Sequence, residues 1–215
     1  MAPPELASEV RAGAPAHWHW PRVVLCLAVL ALLALQVRLH GPMLELDQEA
    51  SHFFALHRNQ AVTALMLAVS TVHETVYVLA ATALVAFGCA RRRDWRAACA
   101  LLVVPTGMLL NVGLKNLFQR ARPAWDDPLV HLATYSFPSG HAVASTVFYG
   151  MLCALVFART RSPLRRGLAL AGAVAMVLLV CCSRVYLGAH YPGDVIGGVA
   201  LGLACVLLFL RLLRP

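Results

Sequence analysis

Residues 167–210 read GLALAGAVAMVLLVCCSRVYLGAHYPGDVIGGVALGLACVLLFL, and this stretch decides the fold class. Two apolar runs, at about 167–186 and 195–210, flank a short polar connection. Each approaches the roughly 20 residues that a helix needs to cross a hydrocarbon core. In lipid every backbone N–H and C=O must be satisfied internally, and a helix does so within one segment. The stretch therefore reads as two membrane crossings joined at one face.

Further runs lie at about 22–37, 61–90, 97–118 and 141–157. Six crossings in an all-α bundle follow. The chain is 60% hydrophobic and 13% charged, against about 45–50% apolar and about 25% charged in soluble domains. Its 215 residues hold six crossings and short loops, with no room for a second soluble domain. Residues 1–20, rich in Ala and Pro, read as a flexible cytoplasmic tail, and 21–215 as one membrane-embedded domain. The first run is short enough for a signal-peptide core, but no small-residue cleavage site precedes Arg38 and His40, so it is expected to stay as the first helix. Residues 41–60, with Glu45, Asp47 and Glu49, read as an interfacial amphipathic segment. The seven cysteines sit in or at the ends of apolar runs without metal-ligand spacing and read as packing residues.

The net charge of +8 is distributed as a membrane protein distributes it. Four arginines lie in 91–96, four in 159–166, and Arg211 and Arg214 close the chain. With six crossings, all share the side of Arg11 and Arg22, which the positive-inside rule makes cytoplasmic. Aromatics are not interleaved with this charge, which argues against a nucleic-acid partner. Arg38, Arg58, Lys115, Arg120, Arg122 and Arg184 fall on the opposite face. Cations at that end of a crossing call for a functional reason.

Three polar stretches break the apolar pattern there. Lys115 and Arg122, seven residues apart, can point the same way from a helix that Pro123 ends near Arg122. In Tyr135-Ser-Phe-Pro-Ser-Gly-His141, Ser139 suits a helix N-cap, Gly140 allows close backbone approach, and the first amides of the helix favour an anion. Ser183-Arg184 precedes His190-Tyr-Pro-Gly-Asp194, where a carboxylate four residues on can fix the imidazole tautomer. Taken singly, these read equally well as snorkelling cations, a capped turn with an incidental histidine, and a polar loop. Helix hairpins bring all three to one small region.

Together they resemble the three signature motifs of the type 2 phosphatidic acid phosphatase family, over about residues 60–213. The family also includes vanadium haloperoxidases and glucose-6-phosphatase-like enzymes. The resemblance implies His190 as nucleophile forming a phosphohistidine, Asp194 orienting it, and His141 as general acid and then base. Lys115, Arg122, Ser139, Gly140 and Arg184 would hold the phosphoryl oxygens. Three fixed cations can stabilise the transition state with no metal and no cofactor. Asp126 and Asp127, the other carboxylates nearby, are too few for a divalent-cation cage and read as a solvated turn.

The expected protein is thus an integral membrane hydrolase of a lipid phosphate or diphosphate, its partners being that lipid and the bilayer. It is expected in a bacterial inner membrane with both termini cytoplasmic and the site on the outer, periplasmic face. Undecaprenyl diphosphate is the favoured substrate, with phosphatidylglycerophosphate and phosphatidic acid as rivals. Lipid phosphotransfer and a non-enzymatic transporter or scaffold are the competing classes. His73 and Glu74, deep in an apolar run, are expected either to face the bundle interior along a lipid access groove or to mark a capped break. His131 reads as a surface residue.

Overall fold

A computed structural model describes residues 20–124, 128–130 and 132–213. The expected N-terminal tail, apart from Trp20, and Asp126, Asp127 and His131 lie outside the described residues. Among the described residues there is no strand. The elements are α1 (Trp20–Leu39), α2 (Met43–Leu56), α3 (Gln60–Val72), α4 (Thr75–Arg91), α5 (Trp95–Ala100), α6 (Val103–Phe118), α7 (Gly140–Arg159), α8 (Pro163–Tyr186), α9 (Pro192–Phe209) and a closing 3-10 turn, Leu210–Leu213. Among the described residues five segments are long and apolar enough to cross a membrane, or six if the bent pair α3–α4 forms one span. The chain is an all-α membrane bundle, as its apolar runs imply.

Helix ends follow from the residues beside them. The side chains of Asn59, Asp94, Ser139 and Ser162 accept backbone N–H groups in the first turns of α3, α5, α7 and α8. Pro163 and Pro192 open α8 and α9, where a missing N–H costs nothing. Pro105 sits in the first turn of α6 and cannot carry the hydrogen-bond ladder of α5 onward, so the third run is two helices in line.

One expectation changes. Helix α6 ends at Phe118, short of Arg122, because Gln119 turns into the left-handed region at φ 49°. Lys115 and Arg122 therefore approach the site from a helix and from the irregular segment after it, not from one helical face. In the run 61–90 the expected break is present: α3 and α4 meet at 51°. His73 caps α3, with its Nδ1 2.7 Å from the Val69 carbonyl and its Nε2 2.7 Å from the Tyr149 hydroxyl. His73 itself is buried and turns into the bundle, while Glu74, the residue just before α4, keeps its side chain exposed, so the break and an inward histidine occur together.

α7 is the central helix, packing on α6, α8 and α9, while α1 covers the far side of α9. The core runs through Val143, Val147 and Met151 of α7, Val103 and Val104 of α6, and Leu201 of α9. Outward-facing Leu84, Leu109 and Leu168 stay exposed, as a bundle bathed in hydrocarbon requires. α7 and α9 touch backbone to backbone through small residues. A Cβ at Gly198 would lie 2.6 Å from the Ser139 carbonyl oxygen, and one at Gly202 would lie 2.7 Å from Thr146 Cβ.

This crossing generates a prediction. Gly198→Ala must push α9 away from the N-terminus of α7, at a cost of about 1–3 kcal/mol. Thermal unfolding in detergent should show a lower midpoint for Gly198→Ala, while Gly172→Ala, whose Cβ meets open space in a helix interior, should not lower it.

Candidate active site

At the end of the bundle away from the arginine-rich turns, the termini of α6, α7, α8 and α9 converge. Gly188, at φ 69°, reverses the chain after α8. The amides of Ala189 and His190 then fold back onto the Arg184 carbonyl at 3.0 and 3.3 Å. That turn sets His190 in the interior, 2% exposed, one residue before the N-cap of α9.

The surroundings of His190 define its tautomer. Arg122 Nη1 lies 3.1 Å from His190 Nε2. A guanidinium can only donate, so Nε2 is the acceptor and Nδ1 carries the proton. Nδ1 faces Asp194 Oδ2 at 3.5 Å and Ser136 Oγ at 3.4 Å. Both are long contacts, of the kind that tighten as the ring acquires charge. Asp194 is wholly buried, and Oδ2 also accepts from the Ser136 hydroxyl and, at 2.9 Å, from the Tyr191 amide. Burial holds the His190 imidazole far below its ordinary 6.5, at about 3, with Asp194 pulling the other way. The ring is neutral at physiological pH and its Nε2 lone pair points toward Arg122.

The cations gather around that lone pair. Lys115 is buried and its ammonium donates to the carbonyls of Tyr135 and, at 3.4 Å, Ser136. Arg122 is held by the carbonyls of Thr134 and Ala189, each at 2.6 Å. Arg184, 2% exposed, donates Nη1 to the Ser70 hydroxyl, while its Nε and Nη2 have no protein partner. His141 Nε2 is likewise buried without a partner, and the Ser70 backbone is in hydrogen-bonding reach of that ring. The charges of Lys115, Arg122 and Arg184 and the rings of His141 and His190 are close enough to act on one another.

The second polar stretch closes the floor. Ser139 Oγ accepts the Ala142 amide at 3.4 Å, and its own amide donates to the Asp194 carbonyl at 2.9 Å. Asn111 donates to the Pro138 carbonyl at 3.0 Å, fixing the turn into α7. A Cβ at Gly140 would stand 3.2 Å from Asn111 Oδ1 and 4.0 Å from Lys115 Cε, so this glycine lies against the lysine. Buried donors without protein partners, beside three cations and an imidazole lone pair, suit a tetrahedral oxyanion such as phosphate.

All eight residues singled out in the sequence meet at this end of the bundle. Four others were missed. Ser136 lies within the second stretch and was passed over for its neighbours. Arg120, two residues from Arg122, pairs with Asp194 at 2.7 Å. Asp47, on α2, pairs with Arg120 at 2.8 Å. Ser70, on α3, serves Arg184 and His141; a buried serine in an apolar run carried no signal.

Comparison with known proteins adds independent findings. The family model described as PAP2 superfamily matches residues 96–215. The chain is 39% identical over 117 residues to phosphatidylglycerophosphatase B of Bacillus subtilis (strain 168), covering 52% of this chain and 55% of that protein. It is 36% identical over 109 residues to lipid A 1-phosphatase of Rhizobium etli, covering 46% of this chain and 42% of that protein. The aligned region thus spans about half the length of these curated relatives. A crystal structure of the transmembrane PAP2 type phosphatidylglycerolphosphate phosphatase from Bacillus subtilis superposes with a TM-score of 0.78 at 29% identity, covering 87% of this chain and 93% of that one.

The depressed His190 titration has a measurable consequence. The folded protein keeps this ring neutral down to about pH 3, whereas the unfolded chain protonates it near 6.5. As pH falls through that window the unfolded state binds the extra proton, so stability is lost. The thermal midpoint should fall more steeply between pH 6.5 and 3 in the wild type than in His190→Asn, which has no imidazole to protonate.

Proposed function

Because the chain belongs to the PAP2 superfamily, we propose that it is a membrane lipid phosphatase that works through a phosphohistidine at His190 and needs no metal. The observation that carries the reading is the half-buried pairing of Arg122 Nη1 with His190 Nε2 at 3.1 Å. One guanidinium fixes the nucleophile's lone pair and stands ready to bind the group it attacks.

His190 Nε2 attacks phosphorus, and the bond from phosphorus to the lipid oxygen breaks. His141 delivers a proton to that leaving oxygen. The ring of His190 then carries both a phosphoryl group and the Nδ1 proton, and its positive charge is met by Asp194. In the second half His141 takes a proton from water, water attacks phosphorus, and the P–N bond returns its electron pair to Nε2. Lys115, Arg122 and Arg184 surround the equatorial oxygens throughout, with the Ser139 hydroxyl and the Gly140 amide beside them. Three cations supply the charge that a divalent ion supplies elsewhere, in a site where the low dielectric strengthens each.

The substrate is a phosphate ester on a lipid held at the membrane face. Phosphatidylglycerophosphate takes precedence here over undecaprenyl diphosphate. The support is the phosphatidylglycerolphosphate phosphatase activity for which the Bacillus subtilis protein is named, whose structure this chain matches over 93% of its length. In this reading both termini are cytoplasmic, the membrane is the bacterial inner membrane, and the site faces the periplasm. The arginine-rich segments 91–96 and 159–166 carry that orientation.

The test is phosphate release in detergent from phosphatidylglycerophosphate, undecaprenyl diphosphate and phosphatidic acid, with EDTA present. Release should persist in EDTA and be fastest from phosphatidylglycerophosphate. It should vanish in His190→Ala and drop by about 10²–10⁴-fold in His141→Ala. Abolition by EDTA would contradict the metal-free mechanism, and labelled lipid product in place of free phosphate would indicate transfer.

A further inference from the structure

Two buried ion pairs, Arg120 with Asp194 and Arg120 with Asp47, lie behind the residues that would touch the substrate. Arg120 is buried, and both ends of its guanidinium are committed. Nη1 donates to Asp194 Oδ1 at 2.7 Å and Nη2 to Asp47 Oδ2 at 2.8 Å. Its Cζ lies 4.2 Å from the centre of the Tyr191 ring. The second oxygen of Asp47 accepts the Gly193 amide at 2.8 Å, in the first turn of α9. The side chains of Arg120, Asp47 and Asp194 are 7%, 3% and 0% exposed. α2 is seated so closely that a Cβ at Gly193 would lie 2.8 Å from Asp47 Oδ2 and 2.4 Å from Met43 Cε.

Two consequences follow from chemistry. An arginine facing a single carboxylate tends to a two-point fork that engages both oxygens. Asp47 occupies the second arm of Arg120, so the arginine holds Asp194 by Oδ1 alone. Oδ2 then remains for Ser136, the Tyr191 amide and His190 Nδ1. Charge gives the second consequence. With His190 neutral, Arg120, Asp47 and Asp194 sum to one negative charge, which offsets the positive ring formed when His190 is phosphorylated. Without Asp47 the sum is zero.

We infer that Asp47, on the interfacial helix α2, is a positioning residue for the His190–Asp194 pair, acting through Arg120. The inference rests on the phosphatase reading above. It makes α2 part of the catalytic apparatus, and the docking of that helix on α9 a condition for nucleophile orientation.

The test uses the full-length protein in detergent, with phosphatidic acid as the probe lipid and inorganic phosphate as a competitive inhibitor. Asp47→Asn should lower kcat by about 10²-fold, the loss expected for a misplaced reacting group. KM and inhibition by phosphate should stay within about twofold, because Lys115, Arg122 and Arg184 are untouched. Asp47→Glu should recover part of the rate. Arg120→Lys keeps the charge but loses the fork, and should match Asp47→Asn; the double variant should be no slower than Arg120→Lys alone. A merely structural Asp47 would give additive losses, or equal damage to phosphate inhibition, and either overturns the inference. If Asp47→Asn does not fold, Arg120→Lys at full kcat overturns it as well. A wild type active on phosphatidic acid with Asp47→Asn at full rate sinks this inference alone. A wild type that releases no phosphate from any of the lipids sinks the phosphatase reading and this inference with it.

Discussion

A carboxylate buried at the end of an apolar bundle is tolerated only when its oxygens are matched by donors and its charge by a cation. Asp194 meets that condition by drawing on every polar segment of the site. Arg120 comes from the segment after α6, Ser136 from the turn before α7, and Tyr191 and His190 from the loop before α9. The Asp194 carbonyl also accepts the Ser139 amide, which pins the start of α7 to the start of α9. Loss of this one side chain would leave a buried guanidinium without one of its two anions, and a buried imidazole without the carboxylate that faces it.

The rest of the site follows from the need to balance charge in a low-dielectric setting. Lys115 and Arg122 are steadied by backbone carbonyls, whose dipoles accept a cation without neutralising it. Arg184 is steadied by a hydroxyl. Such partners hold the cations in place while leaving their charge available for an anion. Arg120, by contrast, is paired with two carboxylates and offers nothing outward. The division between cations held by dipoles and a cation held by anions separates groups suited to binding a ligand from a group suited to building the frame.

Much of this was legible in the sequence because lipid makes simple demands on a chain. Crossings show as apolar runs, and a histidine or arginine at the end of such a run stands out against its neighbours. What escaped depended on contacts between distant residues or on local backbone. In sequence Asp47 is one of several acids on an interfacial segment, and nothing in its surroundings announces an arginine 73 residues away. Arg120 looked like another basic residue beside the more recognisable Arg122. The left-handed turn at Gln119 leaves no clear mark in the sequence, so the spacing of Lys115 and Arg122 suggests a shared helix, whereas α6 stops four residues before the arginine. The bend at His73 and Glu74 was visible as a possibility. It was decided by Tyr149, a residue on another helix.

The central claim is that His190 Nε2 becomes covalently phosphorylated. Its most direct test is to quench the purified protein during turnover of a lipid labelled with radioactive phosphorus and locate the label by peptide mapping. The account predicts an acid-labile, base-stable phosphoryl group on His190, formed and discharged at rates compatible with turnover and missing in His190→Asn. Steady hydrolysis with no label on the protein at any quench time, or label on a different residue, would contradict it.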